Sequence, residues 1–167
     1  MKLYESFSNI LDSNLVFSTF EDLKTNTGWQ FTGYSSDEGY TFWYKNLMSN
    51  EFYTKQFHSK IEEITGRKWK VNHVYANGQT HGLSGSLHID DQNPNAYTFL
   101  YYANPVWDIL WGGNTVFTQF GGETQEYVIK PNTAILFKGD ILHAGLEPTR
   151  YCKELRITIA FKMELLV

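Results

Sequence analysis

Cysteine is almost absent from this chain: Cys152 is the only one in 167 residues. No internal disulfide framework can form, and a reducing compartment is expected. Cys152 sits between Tyr151 and Lys153 with no histidine nearby, so it reads as a small, partly buried residue and not as a nucleophile. Basic clusters are also missing. The formal net charge is −4, and phosphate-backbone binding needs concentrated Lys and Arg, so nucleic acid is disfavoured as a partner. No stretch approaches the roughly twenty apolar residues of a membrane span, so no membrane association is expected. The first thirteen residues, MKLYESFSNILDS, carry a lysine but no continuous apolar run, unlike a secretory signal. The expectation is a soluble, intracellular, cytoplasmic protein. There is no repeat, no low-complexity tract and no interdomain linker.

What is abundant is aromatic: 17% Phe, Trp and Tyr, against only 19% charged residues. Such a composition folds, and this length accommodates one domain with a sizeable core. A single domain over 1–167 is expected, with a helical and hairpin part at about 1–66 and a β core at about 67–163.

Taken in order, residues 5–26 read as helical, because Phe7, Ile10, Leu11, Val16, Phe20 and Leu23 recur every three to four positions. Asp12 or Ser13 is placed to cap a second helix there, and Gly28 to end it. Residues 29–34 and 40–44 are aromatic runs around Ser35, Ser36, Asp37, Glu38 and Gly39, which is a hairpin signal. That loop is either an ordinary surface turn or a lip over a substrate entrance. A helix follows from Ser49 or Asn50 to about Thr65, stopped by Gly66. His58 on it is expected to face solvent. After Gly66 the period changes from helical to alternating. Residues 69–75 predict a strand and 76–79 a turn. Short strands are then expected at 85–89, 96–103, 114–117, 125–129, 133–138, 142–144 and 155–163. Helices followed by many short strands predict an α+β, mainly β fold, a jelly roll with N-terminal helices packed on one sheet.

Among five histidines, only His88 has a carboxylate two residues on, Asp90. Residues two apart in a strand project from the same face. Two imidazoles and one carboxylate on one side of a metal form the facial triad of non-haem Fe(II) enzymes, and His143 on a later strand is the candidate third ligand. On the strand at 155–163, Arg156, Thr158 and Ala160 share a face opposite Ile157, Ile159 and Phe161. An arginine on a barrel-lining face needs a counter-charge, which a carboxylate ligand would supply. The alternative is an outward arginine in solvent. Only one of Tyr101 and Tyr102 can face inside.

The segment from about 75 to 161 resembles the Fe(II)/2-oxoglutarate-dependent dioxygenases, most of all prolyl hydroxylases of the oxygen-sensing type. The matching pieces are Tyr75 before Gly78, His88-x-Asp90, the run at 98–108, Gly112-Gly113, Ile129-Lys-Pro, the run at 134–137, His143 and the strand from Arg156. The resemblance implies a double-stranded β-helix. It implies that His88, Asp90 and His143 hold Fe(II), that Arg156 and Tyr102 bind the distal carboxylate of 2-oxoglutarate, and that Tyr75 lies near the iron-bound end. It further implies O2 as oxidant, ascorbate as an optional reductant, and a protein, peptide or small-molecule substrate, with a peptidyl proline preferred. The loop at 35–39 takes the place of the family's substrate-covering loop. The connection from His143 to Arg156 is longer than in close relatives and contains a rival carboxylate binder, Arg150. A competing reading is a cupin-like metal-dependent enzyme or binding protein without 2-oxoglutarate chemistry; it accounts for the strands and histidines but gives Arg156 no task.

Overall fold

The computed structural model of the protein describes residues 2–35, 40–119 and 124–166. Among these residues ten strands form two antiparallel sheets. The strands are β1 (Glu5–Ser8), β2 (Gln30–Tyr34), β3 (Thr41–Asn46), β4 (Trp69–Gln79), β5 (Ala96–Tyr102), β6 (Thr115–Thr118), β7 (Gln125–Tyr127), β8 (Thr133–Lys138), β9 (Leu142–Gly145) and β10 (Arg156–Leu165). The large sheet runs β1-β8-β5-β10-β4-β3-β2, and the small one β7-β6-β9. This is the expected jelly roll, with β10 at the centre of the large sheet and both of its faces covered.

The two faces of β10 explain how the molecule is layered. Ile157, Ile159, Phe161 and Met163 point to a core shared with helix α1 (Ser13–Thr25), helix α2 (His58–Thr65) and the π-helical turn before it, Phe52–Phe57. Phe57 meets Tyr101 and Phe161 edge-on, at ring distances of 5.2 and 5.0 Å. Edge-to-face pairs of this kind add about 0.5–1.5 kcal/mol each beyond area burial. The opposite face carries Arg156, Thr158, Ala160 and Lys162 towards the space between the sheets. Tyr101 and Tyr102 divide in the same way: Tyr101 belongs to the helix-side core and Tyr102 to the inter-sheet core.

Four local expectations are corrected. Residues 5–8 are strand, not helix. They pair with β8, and Asn9 at φ 55° turns the chain before the helix begins at Ser13. Helical spacing of Phe7, Ile10 and Leu11 misled because a strand and a helix in tandem bury the same residues. The turn expected at 76–79 is the continuation of β4, since Ala76 to Gln79 pair with β10. Gly78 suits this place because a Cβ would press on Leu155, Trp43 and Trp29 at 3.0, 3.1 and 3.2 Å, not because the backbone must turn. The strand expected at 85–89 is reduced to a single bridge, His88 to His143. His58 is half-buried, its Nε2 3.0 Å from the carbonyl of Trp69, and not a solvent-facing side chain. The α1 start is as expected at Ser13, yet the Asp12 side chain makes no capping bond.

Among the described residues no helix is long and apolar enough to cross a membrane.

Candidate metal centre and the cavity beside it

The His88–His143 bridge builds the centre. Each backbone N–H donates to the other residue's carbonyl, at 3.0 and 2.9 Å, which brings the two rings to 4.4 Å. Asp90 is set by its own N–H donating to Gly139 O at 2.8 Å. Donor atoms of His88, Asp90 and His143 all lie within 4.8 Å of one another, so these three predicted residues do converge.

The hydrogen-bond pattern decides what the cluster wants. Nδ1 of His88 faces Ser86 O at 2.9 Å, and Nδ1 of His143 faces Ile141 O at 2.8 Å. A carbonyl only accepts, so in the neutral ring the proton is on Nδ1 and the lone pair on Nε2. Those lone pairs face the carboxylate: His88 Nε2 is 3.3 Å from Asp90 Oδ1, and His143 Nε2 is 3.6 Å from Oδ2. Acceptors gathered around acceptors call for a cation between them. Two nitrogens and one carboxylate oxygen, all on one side, suit non-haem Fe(II).

Burial lowers the pKa of His143 to about 4, with Asp90 opposing and His88 assisting, so the ring stays neutral and ready to ligate. Burial works against the charge on Asp90, but Lys162 and the two imidazoles outweigh it and hold the carboxyl well below the usual range. The low His143 value has a measurable consequence. Its unfolded-chain counterpart, near 6.5, takes up a proton first as pH falls, so the metal-free protein is fully stabilised above about pH 6.5 and weakens towards pH 4. Denaturant unfolding of metal-free protein should show a loss of about 2–3 kcal/mol between pH 7 and 4.5. His143→Gln should flatten that slope.

A cavity of about 310 Å³ opens next to the triad, between the sheets, lined by β2, β3, β4, β5, β8 and β10 of the large sheet and β6 and β9 of the small one. Arg156 closes its inner end. It is 2% exposed, and no acidic side chain among the described residues meets it. Its Nε donates to Gly113 O at 2.6 Å and its Nη1 to Gln79 Oε1 at 2.6 Å. Nη2 is buried without a partner among the described residues. Burial draws its pKa down to about 10, with Tyr102 opposing, so the guanidinium remains charged. A buried guanidinium whose Nε and Nη1 are held by neutral groups, and whose Nη2 has no partner among the described residues, has the geometry to bind a carboxylate. Tyr102 stands over it, the guanidinium carbon 5.9 Å from the ring centre, with its hydroxyl 2.7 Å from Thr115 Oγ1. Tyr75 also lines the cavity. Arg150, the rival arginine, is exposed and outside the cavity.

Gly112-Gly113, one of the pieces matched from the sequence, stands beside Arg156. Gly113 has φ 75°, and a Cβ there would meet Arg156 Cδ at 3.0 Å, so only glycine lets its carbonyl reach the guanidinium. Of the hairpin loop, Ser35 lines the cavity; Ser36, Asp37, Glu38 and Gly39 lie outside the described residues.

Sequence reading missed several residues. Gln79 is anchored by Leu83 O and Gly145 O and aims Arg156. Thr98 donates to Asp90 Oδ2 at 2.6 Å. Asn77 lines the cavity, its Oδ1 without a partner among the described residues. Lys162 forms an ion pair with Asp90 Oδ2 and a 3.2 Å hydrogen bond to Thr98. Strand alternation was signal enough for Lys162, six residues beyond Arg156 on the same face.

The architecture has known counterparts. A prolyl hydroxylase from Trichoplax adhaerens, solved with a hypoxia inducible factor peptide fragment, aligns over 97% of this chain and 83% of its own at TM-score 0.74 and 17% identity. A viral collagen prolyl hydroxylase from Paramecium Bursaria Chlorella virus-1, in its 2-oxoglutarate complex, aligns over 98% and 97% at TM-score 0.65 and 18% identity. The fold is that of the 2-oxoglutarate-Fe(II) oxygenases, in its prolyl hydroxylase-like form. Within this oxygenase fold lies a different chemistry too: the epimerase SnoN, with Fe3+, α-ketoglutarate and nogalamycin RO, aligns over 97% and 78% at TM-score 0.70 and 13% identity. An oxygenase fold therefore does not by itself choose the reaction. No family model and no curated protein sequence matches the chain.

Proposed function

We propose that the protein is an Fe(II)- and 2-oxoglutarate-dependent dioxygenase that hydroxylates an unactivated C–H bond, with a prolyl residue of a peptide or protein as the substrate. The observation that carries the reading is the free Nη2 of a buried Arg156 opening on the same cavity as two imidazole lone pairs and a carboxylate. A metal-only cupin has no use for that arginine.

In this reading His88, Asp90 and His143 hold the iron. Arg156 receives the distal carboxylate of 2-oxoglutarate, with Tyr102 beside it, and Gln79 and Gly113 fix the guanidinium's direction. Iron, 2-oxoglutarate and O2 together supply an oxidant able to break an unactivated C–H bond, 2-oxoglutarate leaving as succinate and CO2. The chain's own part is positional. Thr98 and Lys162 both engage Oδ2 of Asp90, leaving Oδ1 as the oxygen without those bonds. Leu100 and Phe137, which also line the cavity, limit water beside the site. The peptidyl-proline preference draws on the likeness to prolyl hydroxylases.

The test is direct. With Fe(II), 2-oxoglutarate and a panel of proline-containing peptides and small molecules, succinate should form together with a substrate gain of one oxygen by mass spectrometry. No 2-oxoglutarate binding by titration calorimetry, with no succinate, would sink the dioxygenase reading. Binding and succinate with oxygen appearing only on a non-proline substrate would sink the prolyl part alone.

A further inference from the structure

Asn77 stands on β4 between Tyr75 and Gln79, and all three side chains line the cavity beside the triad. Its Oδ1 is buried and has no hydrogen-bond partner among the described residues. Its Nδ2 makes no hydrogen bond to a described residue either, and it is not one of the buried partnerless atoms, so it opens on the cavity. An amide left unpaired inside a protein is destabilising, and folded chains seldom keep one without a use for it.

Register fixes where that amide stands. Gln79 pairs with Arg156, and Asn77 pairs with Thr158 on the next rung of the same face. Thr158 pairs in turn with Tyr102 on β5, so Asn77, Thr158 and Tyr102 form one row across the wall, beside the guanidinium. Same-face rungs of antiparallel strands are about 7 Å apart. The guanidinium head is held on the Gln79 rung by the 2.6 Å bond from Nη1 to Gln79 Oε1. A carboxylate set between the two rungs has room to accept from both sides at hydrogen-bond length, about 2.9 Å each. Such a carboxylate has about four lone-pair sites to fill. Arg156 has committed Nε to Gly113 and one hydrogen of Nη1 to Gln79, and the Tyr102 hydroxyl is engaged with Thr115. Beside Nη2 a further donor is wanted, and the Asn77 amide is uncommitted.

Resting on the dioxygenase reading, we propose that Asn77 is a co-substrate-binding residue: its Nδ2 donates to the distal carboxylate of 2-oxoglutarate, from the flank opposite Tyr102. 2-Oxoglutarate carries acceptors alone, so it is met by the nitrogen end of the amide. Oxygen and nitrogen are alike in size, and a half-turn of the amide brings the same end there from the other orientation. Asn77 thereby adds to the selection of 2-oxo acids that end in a second carboxylate.

Titration calorimetry on Zn(II)-loaded protein tests this with 2-oxoglutarate and oxalate as probes. Oxalate chelates a metal through its adjacent carboxylates and has no distal one. N77L, apolar and of similar size, should bind 2-oxoglutarate roughly tenfold or more weakly than wild type, and oxalate within about twofold. N77D keeps the shape but adds a carboxylate beside Arg156, so it should weaken 2-oxoglutarate further and again spare oxalate. In wild type, the side-chain 1H–15N amide pair that is missing from the N77L spectrum should shift on adding 2-oxoglutarate and stay put on adding oxalate. Oxalate binding certifies each variant as folded around its metal. An N77L protein that keeps 2-oxoglutarate within about twofold overturns the proposal. So does an equal loss of both probes, which is the mark of a structural role. N-Oxalylglycine, with N–H in place of one CH2 of 2-oxoglutarate, checks the polarity. If N77L loses it far more than 2-oxoglutarate, Oδ1 accepts from the middle of the ligand and the donor assignment is overturned. If wild type binds oxalate but not 2-oxoglutarate, it is the dioxygenase reading that has failed.

Discussion

His88→Ala removes metal binding. Loss of an outer-shell partner typically costs 10–100-fold in metal affinity, and losing one of only three protein ligands should cost more. Co(II) titration monitored by its visible absorption should show an affinity drop of roughly a thousandfold or greater, with succinate formation at background. Folding should survive, because the bridge to His143 is made by backbone atoms, N–H to O at 3.0 and 2.9 Å, and alanine keeps both. The variant also removes one of the two lone pairs that face Asp90, so the metal-free protein should be no less stable than wild type by more than about 1 kcal/mol. Unchanged Co(II) affinity in a folded His88→Ala protein would place the metal elsewhere.

Arg156→Ala is expected to weaken 2-oxoglutarate by about two orders of magnitude or more. The free Nη2 and the full guanidinium charge would be lost from a site where no other cation stands at that end, and truncating one partner of a buried charge pair costs about 2–5 kcal/mol. Arg150→Ala should change the affinity less than about twofold, since Arg150 is exposed outside the cavity. Titration calorimetry on both Zn(II)-loaded variants compares them. The reverse order would assign the co-substrate to the wrong arginine. Arg156→Ala also strands Gly113 O and Gln79 Oε1, both of which now accept from the guanidinium, so part of its effect will appear as lost stability. Arg156→Lys separates the two effects. It keeps the charge, but lacks the fork that reaches Gly113, Gln79 and a carboxylate at once, so it should recover only a fraction of the affinity.

Much of this protein was legible in its residues. Period two along 156–161 assigned Arg156, Thr158 and Ala160 to one face and Ile157, Ile159 and Phe161 to the other, and the sheet keeps that division. The same alternation separated Tyr101 from Tyr102. His88, Asp90 and His143 were legible as a set because few residue types ligate metals and only one histidine has a carboxylate two residues on. Where periodicity failed, the chain was doing two things at once: β1 and α1 in tandem imitate one helix, and Ala76 to Gln79 look like a turn although they are held flat between two neighbours, β3 and β10.

Register across the sheets was not legible, and register decides which side chains meet. It sets Gln79 opposite Arg156, and Tyr75 opposite Ala160 two pairs from Lys162. It brings Gly113 under the guanidinium and Thr98 and Lys162 onto the same oxygen of Asp90. Local sequence determined the chemical groups and the faces on which they stand, because side-chain direction follows from a few backbone angles. Only the tertiary structure decided which charges are answered within the chain and which are left for a ligand, because that balance depends on contacts between strands up to 77 residues apart, as for Arg156 and Gln79.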